Sequence, residues 1–272
     1  MDFCVVIKAD YADCPPLLRL VTYLSRYGHS VDVFCVGSKT FKKNDKYLDK
    51  YGRVKIIKVP PAKGLAIHAR PVIEIPRIQR ALSKSNKIYN ICVAFDPYAL
   101  EATKRSHIFT KSKIIYYSLE LWDELRFWPQ RVCEYHARRI IDGLVVPQED
   151  RLNYLVQILG YKGPSVVFPN ITFDYNDQLY KEEIQTSVRP PTVFAYIGGL
   201  QKGRAIPQLI DVFGNRITNA RLIIYGKGSE QDLKYYMGLI NNTVNPSNIE
   251  VHEFLPYPEH FRMRSKWHVG IM

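Results

Sequence analysis

The chain reads as an α/β protein with parallel strands, and three observations predict it. Short apolar runs rich in β-branched residues alternate with stretches of helical period over almost the whole length. The strands are near-continuous in apolar residues, the pattern of a sheet covered by helices on both faces. The rhythm lapses once and then restarts, which divides the chain in two.

The elements follow in order. "CVVIKA" (4–9) reads as a strand, "PLLRLVTYLSRYG" (16–28) as an amphipathic helix stopped by Gly28, and "VDVFCVG" (31–37) as a second strand. "VKIIKVP" (54–60) and the helix "VIEIPRIQRALSKSN" (72–86) come next, then "NICVAF" (90–95), a helix from about Ala99, "KIIYYSL" (113–119) and a helix over 130–140. "GLVVP" (143–147), the helix "EDRLNYLVQILG" (149–160) and "SVVFP" (165–169) complete the first series. Glu149 and Asp150 stand at the positive end of that helix and Gly160 at its stop.

"TFDYNDQLYKEEIQTSVRPP" is polar, weakly periodic and ends in a proline pair. The boundary is placed there: a first domain over 1–171, a linker over 172–191 and a second domain over 192–272. The second series runs "TVFAYIGGL" (192–200), helix "IPQLIDVFGN" (206–215), "ARLIIYGKG" (220–228), helix "SEQDLKYYMGLINN" (229–242), "IEVHEFLP" (249–256), helix "PEHFRMRSKW" (258–267) and "HVGIM" (268–272). That last run reads as a buried strand with no helix after it. The second domain is therefore expected to be incomplete, its last strand covered by a protein partner or by the continuation of a longer chain.

Composition narrows the function classes. With 46% hydrophobic and 24% charged residues the chain is globular, neither disordered nor fibrous. Its 38 Lys and Arg against 26 Asp and Glu leave a formal +12, which favours phosphorylated metabolites, nucleic acid or an acidic membrane surface. No recognised nucleic-acid module is present, so nucleic acid is not expected as a partner. No apolar run approaches the roughly 18 residues of a membrane span, and Asp2 stands where a signal peptide would carry cations. A cytoplasmic location is expected. The five cysteines are scattered without a C-x-x-C pair, and the seven histidines lack a partner spacing such as H-x3-H. Neither a metal site nor a disulfide framework is expected.

The stretch "YIGGLQKGRAIPQLI" (196–210) carries the strongest chemical signal. Gly198 to Gly203 has the glycine spacing of a P-loop, but Arg204 and Ala205 replace its Lys and Ser or Thr, so the Mg²⁺ ligand of an NTPase is missing. "GKGSEQ" (226–231) begins like a dinucleotide fingerprint and lacks the third glycine. What survives is a turn with Gly198 and Gly199, then Lys202 and Arg204 at the entrance of a helix whose free N–H groups suit a diphosphate. The alternative is that the glycines only turn the chain and both cations are solvated.

Taken together, "YIGGLQKGRAIPQLIDVF", "ARLIIYGKGSEQDL" and "IEVHEFLPYPEHFRMRSKWHVGIM" resemble the donor-binding domain of GT-B glycosyltransferases, in particular the family 4-like group. Upstream, "RRIIDGLVVPQEDRLNYLVQILG" and "VVFPN" are similar to the end of that family's first domain. The resemblance implies two Rossmann-like domains, the second incomplete here, and transfer of a sugar from a nucleotide diphosphate sugar to an acceptor hydroxyl with retention. It implies no cofactor and usually no metal, and a role in polysaccharide or glycoconjugate biosynthesis.

By the same resemblance, Lys202 and Arg204, with Gly199, match the residues that hold the donor diphosphate. Gly226 and Gly228 match the turn that receives base and ribose, with Leu255 and Tyr257 nearby. Three departures stand out. Gly199 or Leu200 occupies the place of an Arg that commonly follows the strand's glycine, and "ADYADCPP" lacks the paired glycines of the loop after the first strand. The acidic E-x7-E segment that follows "VGI" in the family is absent from the sequence, which reads as a truncated enzyme. The rival expectation is a non-catalytic fragment or subunit that completes its fold with a partner protein.

In the first domain Glu120 and Asp96 each follow an apolar strand, at the carboxyl end where open α/β sheets bind ligands. Glu120 is the candidate catalytic carboxylate and Asp96 a candidate on the acceptor side, with helix capping or salt bridging as the plainer reading of both. His68, in "PPAKGLAIHARP", is a further acceptor-side candidate. Finally, "LRFWPQRVCEYHARR" (125–139) mixes arginines with Phe127 and Trp128. That mixture suits an anionic membrane surface, where related enzymes meet lipid-linked acceptors, and predicts a peripheral position at the inner membrane face. The competing reading is a solvated helix face with its aromatics in the core.

Overall fold

The computed structural model describes residues 1–37, 52–65, 69–120, 128–170, 191–200, 203–254 and 267–271. The chain divides into two compact units, Met1–Phe173 and Asp174–Met272. All but Pro191 of the stretch read as a linker lies outside the described residues, as does the helix expected over 258–267, apart from Trp267.

The first unit is a seven-stranded sheet in the order β3-β2-β1-β4-β5-β6-β7, every neighbouring pair parallel. Its strands are β1 (Asp2–Ile7), β2 (Ser30–Val36), β3 (Val54–Val59), β4 (Ile91–Ala94), β5 (Lys113–Tyr117), β6 (Gly143–Val146) and β7 (Ser165–Val167). Central β1 is buried on both faces from Phe3 to Ile7, which is why its sequence is apolar without alternation. The edges differ: β3 carries Lys55 and Lys58, and β7 is three residues long with Val166 exposed, both common ways of blunting a sheet edge.

Helices α1 (Pro15–Arg26), α2 (Arg70–Lys84), α3 (Pro97–Arg105), α4 (Trp128–Ala137) and α5 (Glu149–Leu159) connect these strands. Gly28 and Gly160 take left-handed φ values of +80° and +61°, and Gly160 closes α5 by donating to the Val156 carbonyl. Two starts differ from the sequence reading. Helix α3 begins at Pro97 because Asp96 caps it, and α4 begins at Trp128 and passes at Ala137 into a 3₁₀ turn, Arg138–Ile140. On one face of the sheet the core gathers Cys4, Phe34, Ile114 and Tyr116 from the strands with Ile78 of α2 and Leu100 of α3.

The second unit holds a parallel sheet in the order β10-β9-β8-β11, from β8 (Thr192–Gly199), β9 (Ala220–Lys227), β10 (Ile249–Glu253) and β11 (Val269–Ile271). Helix α6 (Ile206–Asp211) winds into a π turn over Val212–Arg216, and α7 (Glu230–Asn241) follows β9. Its core gathers Tyr196, Leu200, Ile206, Phe213, Leu222 and Tyr236. Strand β11 docks on β8 through a reciprocal pair, the His268 N–H to the Val193 carbonyl at 2.8 Å and the Val193 N–H to His268 Nδ1 at 2.9 Å. Among the described residues no helix is long and apolar enough to cross a membrane.

Candidate functional site

In the first sheet the chain leaves β1 toward β2 on one side and returns as β4 on the other, so the strand order reverses between β1 and β4. Loops diverge there and leave a crevice at the carboxyl ends of the strands. A cleft of about 340 Å³ lies at this place, lined by Lys8, Asp96, Tyr98, Tyr116, Glu120 and Gln130 among others. Asp96 and Glu120, separate in sequence, share it. Their situations differ.

The Asp96 carboxylate is committed to backbone. Its Oδ1 accepts from the N–H groups of Tyr98 and Ala99, each at 2.9 Å, and its Oδ2 accepts from the Lys8 N–H at 2.6 Å. It caps α3 and ties the end of β1 to the end of β4. Burial pushes its pKa up against the opposing pull of these donors and Lys8. Glu120 is exposed at the rim, where its own carbonyl accepts from Ser118 Oγ at 3.2 Å. His68 lies outside the described residues.

Residues that sequence reasoning passed over complete the wall. Lys8 Nζ is 3.5 Å from Glu74 Oε2 and 5.0 Å from the centre of the Tyr98 ring, while Glu74 Oε1 accepts from the Ala62 N–H at 3.1 Å. Tyr116 donates its hydroxyl proton to Glu134, a buried carboxyl on α4. Burial pushes Glu134 up to about 7, against the pull of Tyr116 and Arg131. The available signal was helical spacing: Gln130, Glu134 and Ala137 fall on one side of α4, and Glu134 and Ala137 are buried.

In the second unit, Leu200 continues β8 by donating its N–H to the Lys227 carbonyl at 2.8 Å, and its side chain is buried. That side chain lies where a Cβ on Gly226 would stand, and its Cβ is 2.9 Å from the corresponding position on Gly228. Both glycines are therefore required by packing inside the domain. Gly198 is held in the same way by the Tyr196 hydroxyl, 2.8 Å from where its Cβ would be, and that hydroxyl donates to the Gly199 carbonyl at 2.8 Å. Gly203 has φ +96°, and Arg204 beside it is exposed ahead of the buried Ile206. Lys202, Leu255 and Tyr257 lie outside the described residues.

A second cleft, of about 510 Å³, opens at the carboxyl ends of β9 and β10, between Gly226, Gly228, Leu233, Met237, His252 and Phe254. The His252 ring stacks on Tyr225 with centroids 5.3 Å apart and bonds Glu250 Oε2 at 3.1 Å. Gly199 and Arg204 are not among its lining residues. The start of α7 beside it is closed by a capping box: the Asp232 N–H donates to Ser229 Oγ at 3.1 Å and the Ser229 N–H to Asp232 Oδ2 at 2.9 Å. With Glu230 also in the first turn, this helix end is already countered by carboxylates and disfavours phosphate. The mainly apolar walls suit a flat ring, and Lys227 is the lysine among the cleft's lining residues.

No protein-family model matches the chain, and no curated protein does. Solved structures do. Sucrose-phosphate synthase from Thermosynechococcus elongatus superposes with a TM-score of 0.73 at 11% identity, over 98% of this chain and 73% of that one. Anabaena HepE, in complex with UDP and glucose, gives 0.72 at 15% identity, over 99% and 73%. The UDP-GlcNAc 2-epimerase of Neisseria meningitidis, bound to UDP-GlcNAc, gives 0.65 at 12%, over 99% and 76%. The chain has the GT-B fold. Within this GT-B chain the clefts of both units lie at the carboxyl ends of parallel strands, where open α/β sheets bind ligands.

Proposed function

We propose that this GT-B chain is a glycosyltransferase that binds a nucleotide diphosphate sugar at its second domain and an acceptor at its first. The observation that carries the reading is the cleft at the ends of β9 and β10, with mainly apolar walls, two glycines and Lys227, in a fold whose solved likenesses include one holding UDP and glucose. In this reading the base and ribose lie against Gly228, Leu233 and Met237. Arg204, joined by Lys202 on the sequence resemblance, meets the diphosphate and stabilises the charge that grows on it as the glycosidic bond breaks. Glu120 and the wall formed by Lys8, Tyr98 and Tyr116 receive the acceptor hydroxyl.

The finer parts of the proposal are the family 4-like assignment, retention at the anomeric carbon, a polysaccharide or glycoconjugate product, and a saccharide or lipid-linked acceptor. Sequence resemblance supports each of them. The first test is calorimetric titration of UDP, GDP and ADP into the full chain. One nucleotide is expected to bind and to raise Tm, because a ligand held by the folded state alone stabilises by about 2.7 kcal/mol at a hundred times its Kd. Arg204→Ala is expected to remove the shift. Unchanged melting with all three would sink the reading.

A UDP-sugar 2-epimerase is the second reading, because structures of that activity share the fold. Incubation with UDP-GlcNAc in the absence of acceptor separates the two: a C2 epimer supports the epimerase, whereas acceptor-dependent release of UDP supports transfer. The anomeric configuration of the product, read by NMR, decides retention.

A further inference from the structure

We infer, on the reading that this chain binds a nucleotide diphosphate sugar, that the cleft at the carboxyl ends of β9 and β10 is selective for guanine and that the Glu253 carboxylate reads the base. Side chains alternate along β10. Val251 packs into the core of the second unit together with Leu233 of α7, whereas Glu250 and His252 turn the other way, bonded to each other and with the His252 ring stacked on Tyr225. Glu253 therefore follows Val251 on the α7 side of the sheet, at the strand end where Leu233 and Met237, one turn apart, form the apolar wall of the cleft. In the sheet register it stands opposite Gly226, which sets no side chain beside it.

The carboxylates around this cleft differ in their engagements. Asp232 closes the capping box of α7, Glu230 pairs with Lys234 at 2.9 Å, and Glu250 pairs with Arg221 and His252. Among the described residues no hydrogen bond or ion pair engages Glu253, which is exposed at the mouth of the mainly apolar cleft. An ionised carboxylate accepts and does not donate, through two oxygens side by side. The bases answer it differently. Guanine sets its N1–H and its 2-amino group next to each other, two donors that a carboxylate takes as a pair in the way it takes a guanidinium. Uracil sets its N3–H between two carbonyl oxygens, so the second carboxylate oxygen faces another acceptor. Adenine and cytosine each put a ring-nitrogen acceptor beside the amino group. Lys227, on the same cleft, brings an ammonium donor for the O6 and N7 acceptors of guanine. The likeness that holds UDP is 15% identical, which carries the fold but not the side chains at the strand ends.

The test is calorimetric titration of GDP, inosine diphosphate, UDP and ADP into the full chain and into its Glu253→Ala and Glu253→Gln variants. GDP is expected to bind about tenfold or more tightly than UDP or ADP, and inosine diphosphate, which lacks the 2-amino group, about fivefold more weakly than GDP. Glu253→Ala is expected to lower GDP affinity about tenfold, to leave UDP and ADP within about twofold, and to close the gap between GDP and inosine diphosphate. Glu253→Gln, with one acceptor oxygen, should fall between. The side chain is exposed, so circular dichroism melting should match the parent, and a merely structural role would not move the gap between GDP and inosine diphosphate. Tighter binding of UDP or ADP than of GDP by the parent overturns the inference and leaves the nucleotide-sugar reading standing. A preference for GDP that Glu253→Ala leaves intact overturns the assignment to Glu253. No binding of any of the four overturns both the inference and the reading beneath it.

Discussion

Leu200 occupies the space that a side chain on Gly226 would need, and the two strands that carry them are in register, Gly198 opposite Gly226. A glycine motif that resembles a nucleotide turn thus also has a packing duty. Gly226→Ala is expected to destabilise the second domain by about 1 to 3 kcal/mol through overpacking, and Leu200→Ala by about 2 to 5 kcal/mol through the cavity it leaves. The double variant should lose less than the sum, because the alanine methyl then has room. Urea unfolding of the three proteins checks this. Strict additivity would show that Gly226 answers to something other than Leu200.

Glu134 gives the chain a pH signature. Its carboxyl is raised in the folded state from an ordinary 4.5 to about 7, so the folded protein holds more protons than the unfolded one between those values. This contribution is fully present below about pH 4.5, is lost as pH rises to about 7, and is flat above; its size is on the order of 3 kcal/mol. Glu134→Gln keeps an acceptor for the Tyr116 hydroxyl and removes the titration. Stability profiles from pH 4.5 to 8 are therefore expected to converge at low pH and diverge toward neutrality, with the variant the more stable at pH 8. Parallel profiles would contradict the buried carboxyl.

Asp96 satisfies three backbone donors at once. Asp96→Ala is expected to cost about 2 to 4 kcal/mol, from the lost cap of α3 and a Lys8 N–H left without an acceptor. Asp96→Asn should fall between, since one amide oxygen can cap but its NH₂ cannot accept from Lys8. If both variants melt like the parent, the carboxylate is not what joins β1 to β4.

Met237 sits in the wall of the second cleft and is 43% exposed. Met237→Trp should fill the cleft with little change in Tm while weakening nucleotide binding at least tenfold. Equal affinity in a calorimetric titration would place the nucleotide elsewhere.

Much of this protein was legible in its sequence because it is written in local or periodic terms. Continuous apolar runs such as "CVVIKA" and "ARLIIYGKG" foretell parallel strands buried on both faces, and Gly28 and Gly160 foretell helix ends, since a left-handed φ is a property of one residue. The GT-B arrangement of two parallel sheets was legible too, from the order of the motifs. For Asp96 the plainer of two readings, a helix cap, describes its bonds.

What the sequence could not decide was the environment of single side chains. The tryptophan and tyrosine of "WPQRVCEYHARR" look the same whether turned to core or to solvent, and of the two readings of this stretch the one with its aromatics in the core is not met by Trp128 and Tyr135, which are exposed. Tyr116 and Glu134 meet only because β5 and α4 pack together. Gly226 owes its missing side chain to Leu200, 26 positions earlier and one strand away. Burial, and with it packing, proton affinity and a free face, is set by neighbours that are distant in the chain, so only the tertiary structure decided them.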